Sequence, residues 1–202
     1  MKAIKFNTMN EISKIMCEAT KIVVDTSSGT KVKFSPTVQK IPGIYLKPDI
    51  GCFVQFDGDY SGILILNFSG AAALELYRES MVFMGIPEED LAKDYYHDDV
   101  VNSIGELVNQ VVGKIRGIIE RTFGLSARNN QPKAITITSA INLTIDTHLV
   151  KPRCRKLSFK TAENNPFYIE FSLEDSEFIQ LFAHENIEEE LDIEAIMNQA
   201  NN

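Results

Sequence analysis

DDVVNSIGELVNQVVGKIRGIIERTFG, residues 98–124, decides the fold. An α-helix turns about 100° per residue, so each side chain can be assigned to a face. With Glu106 set at zero, Val101, Ile104, Val108, Val111, Ile115, Ile118 and Ile119 fall within about 60° of the opposite side. This predicts one long amphipathic helix whose apolar stripe docks on a sheet. Asp98 and Asp99 suit the positive end of its dipole, and Gly124 provides a C-cap.

Upstream, Thr8 and Glu11 read as a capping box, followed by Ile12, Ile15, Met16 and Ala19 at helical spacing. Thr26–Thr30 is expected as a turn and Lys31–Ser35 as a short strand. Three prolines, Pro36, Pro42 and Pro48, reduce residues 36–50 to loop and at most an edge strand. Gly51–Phe56 and Gly62–Phe68 read as a hairpin turning through Asp57–Ser61. Ser69–Met84 is a second helix, stopped by Gly85 and Pro87.

Beyond the long helix, Ala134–Asp146, Arg155–Thr161 and Phe167–Leu173 read as strands, the last two flanking the turn Asn164-Asn165-Pro166. All seven prolines are expected between elements. The order helix, strands, helix, then helix, strands is a loose duplication, with the two long helices as counterparts. It predicts an α+β fold with helices packed on an antiparallel sheet. Residues 1–185 form one domain; residues 186–202 form an acidic C-terminal helix or tail, with Ile187, Leu191, Ala195 and Ile196 spaced helically.

The chain has 202 residues, 44% hydrophobic and 24% charged, enough for one well-packed core. Its net charge of −8 repels phosphate backbones and anionic lipid, which argues against nucleic-acid and membrane-surface partners. Cys17, Cys52 and Cys154 form no close pair, so they read as thiols of a reducing cytoplasm rather than disulfides or zinc ligands. The N-terminus has no continuous apolar core of a signal peptide, and no apolar run is long enough to span a bilayer.

The face around Glu106 carries Asn102, Asn109, Gln110, Gly113 and Gly117. Asn109 sits about 60° from Glu106 and one turn along, so both side chains project the same way. Glu and Asn on a polar face are ordinarily just solvated. The glycines ask for more, because each costs roughly 1 kcal/mol against alanine within a helix. They provide either a flat track for a partner or close packing on another helix of the chain.

Asn102 to Asn109 resembles the active-site helix of the CheC/CheX/FliY phosphatases. Their pattern is Asp or Ser, three residues, Glu, two residues, Asn, twenty-two residues, then Pro. Glu106, Asn109 and Pro132 match, whereas Asn102 replaces the Asp or Ser. The glycine turn and apolar strand of Phe56–Leu66 resemble the family's hairpin. Glu11 and Glu18 of the first helix are followed at the same spacing by Lys14 and Lys21, so the chain resembles the single-site CheX branch.

The resemblance implies hydrolysis of the aspartyl phosphate of a CheY-like receiver. Asn109 would hold the attacking water and Glu106 would pair with the receiver's lysine. It implies no cofactor on this chain, Mg on the receiver, and a homodimer. The other reading is a non-catalytic adaptor that binds a receiver through the same face, for which Asn102 leaves room.

Other constellations point elsewhere. His97-Asp98-Asp99 reads as dipole capping rather than a metal site. His148 and His184 have no ligand partners in the sequence. Cys154 sits among Lys151, Arg153, Arg155 and Lys156, which reads as a basic strand edge or as a thiol of lowered pKa.

Overall fold

The computed structural model describes residues 8–47, 49–137, 153–174 and 178. The order is α1 (Thr8–Ser28), β1 (Lys33–Phe34), β2 (Gln39–Lys40), β3 (Ile50–Gly58), β4 (Gly62–Phe68) and α2 (Gly70–Phe83). A 3-10 turn at Glu88–Asp90 leads to α3 (Asp98–Phe123), β5 (Ala127–Asn129), β6 (Lys133–Thr136), β7 (Arg153–Lys160) and β8 (Pro166–Leu173). The fold is α+β, with three helices against one antiparallel sheet, as the patterning predicts.

The sheet runs β1-β7-β8-β4-β3-β5, with β2 also on β7 and β6 also on β3. Two hairpins, β3-β4 and β7-β8, meet where β4 pairs with β8. The short strands after α1 cross to the second hairpin, and those after α3 cross to the first. This exchange of edges makes the duplication visible: α1 and α3 are counterparts, and they pack on each other with α2 against both.

Period-2 alternation places Ile50, Cys52, Val54, Leu64, Leu66, Phe167, Ile169 and Phe171 on the helix side, all buried. β4 is buried along its whole length because its other face is also covered. Leu46 lies over Ile63 and Ile65 in a second small core. The strap that carries it is pinned by Asn67, whose amide donates to the Tyr45 carbonyl (2.9 Å) and whose oxygen accepts from Lys47 N–H (2.8 Å). Glu170, almost fully buried, accepts from Lys47 Nζ (2.7 Å) and Tyr45 N–H (3.0 Å).

Several expectations change. α1 continues through Ser28, because Thr26 and Ser28 turn their hydroxyls back onto the carbonyls of Ile22 and Val24 instead of opening a turn. Gly29, at φ +71°, ends it. The capping box is replaced: the Thr8 hydroxyl accepts from Phe178 N–H (2.9 Å), while Glu11 pairs with Lys14. The strand at Lys31–Ser35 shrinks to Lys33–Phe34, and β5 is additional. The strand expected at Ala134–Asp146 is observed as Lys133–Thr136; its remainder, residues 138–146, lies outside the described residues, as does the C-terminal segment. Pro166 opens β8 rather than preceding it, a position a strand tolerates. No described helix is long and apolar enough to cross a membrane.

Candidate functional site

α3 is fixed from both ends and one side. Its N-cap is His97, whose Nδ1 accepts from Asp99 N–H (3.3 Å). The His-Asp-Asp run is therefore used at the helix start, as dipole capping. Gly124 closes the helix in the left-handed region (φ 69°), its N–H donating to the Glu120 carbonyl (2.8 Å). Val100, Ile104, Leu107, Val108, Val111, Val112, Ile115 and Ile119 are buried, with Val101 and Ile118 half-buried against the core. The stripe rotates the opposite face outward.

On that outward face Asn102, Glu106, Asn109, Gln110 and Gly113 are exposed and Gly117 is half-buried. Asn102, Glu106 and Asn109 line a cleft of about 280 Å³, walled opposite by Gln131 and Pro132. Gln110 Nε2 reaches the Glu106 carboxylate at 3.4 Å, one turn along. Gly113 and Gly117 lie beyond the cleft on the same side of the helix. A methyl group added at Gly113 would meet nothing within 4 Å, so this glycine does not serve packing against a described element.

The far wall explains the long spacing to proline. β5 and β6 both pair with β3, and Asn130, Gln131 and Pro132 stand opposite only Val54 and Gln55. One extra residue makes a bulge. Asn130 anchors it by accepting from Gln55 N–H (2.7 Å). Proline lacks an N–H to leave unpaired, so it suits a bulge on an outer strand, and Pro132 is buried there. A Cβ added at Gly105 would make an ordinary van der Waals contact with Ala134 Cβ, 3.7 Å away, so this wall does not itself require glycine there. Gln131 and Lys133 are cleft residues the sequence reading missed; their only signal was adjacency to Pro132.

The counterpart face of α1 is spent on ion pairs. Lys14 bonds Glu11 (2.8 Å), and Lys21 bonds Asp25 (2.6 Å) and the Val32 carbonyl (3.1 Å). A carboxylate and an amide therefore project together from α3 and not from α1.

Cys154 requires a correction. β7 is an inner strand, flanked by β8 and by β1 and β2, and the Cys154 thiol is buried. The thiol lies inside the sheet rather than on an exposed rim, so a basic strand edge does not describe it. Cys17 and Cys52 are buried too, and burial pushes their thiols up to about 11 and about 12. His148 and His184 lie outside the described residues.

A larger cleft, about 630 Å³, lies between the end of α1 and α2. Its buried carboxylate, Glu75, is saturated by Thr161 Oγ1, Glu163 N–H (2.9 Å) and Asn165 Nδ2 (2.7 Å). Burial raises the pKa of nearby Glu79, although the Thr30 hydroxyl opposes that shift. Glu75 holds the β7–β8 turn to α2 and Glu79 holds Thr30, just after α1, to it, so the smaller cleft is the better site for chemistry.

The sequence model of the family described as "Protein of unknown function (DUF3334)" matches residues 3–202. No curated protein matches. Solved structures do match in fold. A chemotaxis protein CheX from Desulfovibrio desulfuricans is 23% identical at a TM-score of 0.65, covering 81% of this chain and 99% of that one. A CheC-like superfamily protein from Shewanella sp. PV-4 is 15% identical at 0.64, covering 84% and 99%. CheX in a CheX-CheY-BeF3-Mg complex from Borrelia burgdorferi is 12% identical at 0.56, covering 80% and 97%. The architecture is thus that of the CheC/CheX proteins.

Proposed function

The chain belongs to the DUF3334 family, and from its CheX-like fold we propose that it hydrolyses the aspartyl phosphate of a CheY-like receiver domain. The observation that carries this reading is the shared exposure of Glu106 and Asn109 in one cleft closed by Pro132.

An acyl phosphate is already reactive, so its hydrolysis depends mainly on placing a water in line and stabilising charge. An amide suits the first task because it offers an acceptor and two donors and does not titrate near neutrality. Asn109 orients the water. Glu106, its orientation restrained by Gln110, pairs with a lysine of the receiver and sets the register. The receiver brings the phosphoryl group and Mg; a chain of similar fold is found in a CheX-CheY-BeF3-Mg complex, which supports this reading. Asn102, Gln110, Gly113 and Gly117 extend the contact surface along α3.

Asn102, where the resembling pattern has Asp or Ser, motivates the second reading, an adaptor that binds the receiver without turnover. Binding and turnover separate the two. With a phosphorylated CheY-like receiver from the same cell, the native protein is expected to accelerate phosphoryl loss. Asn109→Ala should still bind but no longer accelerate, and Glu106→Ala should chiefly weaken binding. Binding by the native protein with an unaltered phosphoryl lifetime would establish the adaptor instead.

A further inference from the structure

Charge along this chain is segregated. Residues 26–48 contain no Asp or Glu and carry Lys31, Lys33, Lys40 and Lys47; residues 147–162 also lack acids and carry Lys151, Arg153, Arg155, Lys156 and Lys160. Nine of the chain's 20 basic residues thus fall in two acid-free stretches. The sheet joins those stretches, because β1 and β2 both pair with β7.

The register sets like charges directly opposite. Lys33 faces Lys160, and Lys40 faces Arg155. Such pairs are destabilising in a sheet unless something anionic offsets them. Edge lysines deter aggregation, but that purpose does not require them to be matched across a ladder. Lys33, Lys156 and Lys160 line a cleft of about 410 Å³ floored by Tyr168, with Lys156 Nζ 3.8 Å from the ring centroid. Among the described residues Lys33 and Lys160 have no ion-pair partner, while Lys156 faces Glu170 across β7–β8, a carboxylate already bonded to Lys47. Phe34 on the cleft wall and Val38 in the β1–β2 connection are exposed apolar side chains.

The opposite composition stands at the other end of the chain. Residues 185–202 hold six acids, Glu185, Glu188, Glu189, Glu190, Asp192 and Glu194, and no Lys or Arg. Along an extended segment Leu191 and Ile193 share one side.

We propose that the acidic segment 188–194 docks in cis on the basic cleft formed by β1, β2 and β7, with its carboxylates against Lys33, Lys156 and Lys160 and its apolar residues Leu191 and Ile193 on Phe34 and Val38. The reach permits it. Phe178 is held at the start of α1 by Thr8, and the cleft lies toward the other end of that helix, where Asp25 accepts from Val32 N–H. The 21 residues of α1 span about 30 Å. From Phe178, extended chain reaches only roughly 23 Å to Glu185 but roughly 33 Å to Glu188 and roughly 50 Å to Glu194, so the carboxylates from Glu188 onward can reach the cleft.

The test is hydrogen exchange of residues 185–197 in the full-length protein. At low salt their exchange should be slowed roughly tenfold or more relative to an unstructured peptide. Lys33→Gln with Lys160→Gln, or Glu188→Gln with Glu189→Gln and Glu190→Gln, should restore unprotected exchange, as should about 0.5 M NaCl. The lysine variant removes a like-charge pair, so its melting temperature should equal or exceed the native one, which separates lost docking from lost folding. Unprotected exchange in the native chain, or protection that survives both sets of substitutions, would overturn the proposal.

Discussion

At the residue scale, two carboxylates show how little of a side chain's role its identity reveals. Glu75 reads as one more polar residue of α2, yet it is buried and accepts three hydrogen bonds from the β7–β8 connection. Glu75→Ala would leave those donors without a partner, at a cost of about 2–4 kcal/mol measured by denaturant unfolding. Asp25 is the other case. Burial alone would raise its pKa, but hydrogen bonds from Lys21, Val32 N–H and Lys31 and the charge of Lys21 outweigh burial and hold it below the ordinary carboxylate value. The ionised form therefore adds stability above the unfolded-state pKa, and that stability is lost as pH falls through the lowered folded-state value. Asp25→Asn should melt lower than the native protein at neutral pH, and the difference should close in strong acid.

At the element scale, α3 was the most legible part of the chain. Its length, caps and apolar stripe follow from residue type and a 3.6-residue period, and the structure keeps all three. The hairpin β3-β4 and the helix α2 were nearly as clear, because glycine, proline and alternation mark their bounds. The bulge that aims Pro132 was not legible, since it exists only through pairing with β3, a partner some 80 residues earlier. The same holds for the strap over Ile63 and Ile65, whose pinning residues Asn67 and Glu170 look unremarkable in sequence. Gly113 offers a test that separates stability from function. Gly113→Ala should stabilise the protein by about 0.5–1 kcal/mol, because the added methyl meets nothing. If the glycine track receives a partner, the same substitution should weaken receiver binding. Weaker stability in the variant would mean the helix packs there on something.

At the scale of the whole molecule, the pseudo-twofold exchange of edge strands ties both halves into one sheet. Each hairpin is closed by strands from the other half, so neither half can open without breaking the other's ladder. Unfolding should be a single cooperative step. The buried thiols report on this directly: Cys17 is in the first helix, Cys52 in the first hairpin and Cys154 in the second. All three should react with a thiol reagent at one common slow rate that tracks global unfolding, and early labelling of any one would show a half opening alone. The same symmetry isolates the site, because α1 spends its counterpart face on ion pairs while α3 exposes an amide and a carboxylate to solvent. The most direct measurement is the lifetime of a phosphorylated CheY-like receiver mixed with a sub-stoichiometric amount of native protein or of Asn109→Ala. The native protein should shorten that lifetime over many turnovers and the variant should leave it near the spontaneous value. Equal shortening by both would contradict the role given to Asn109, and with it the account of the cleft.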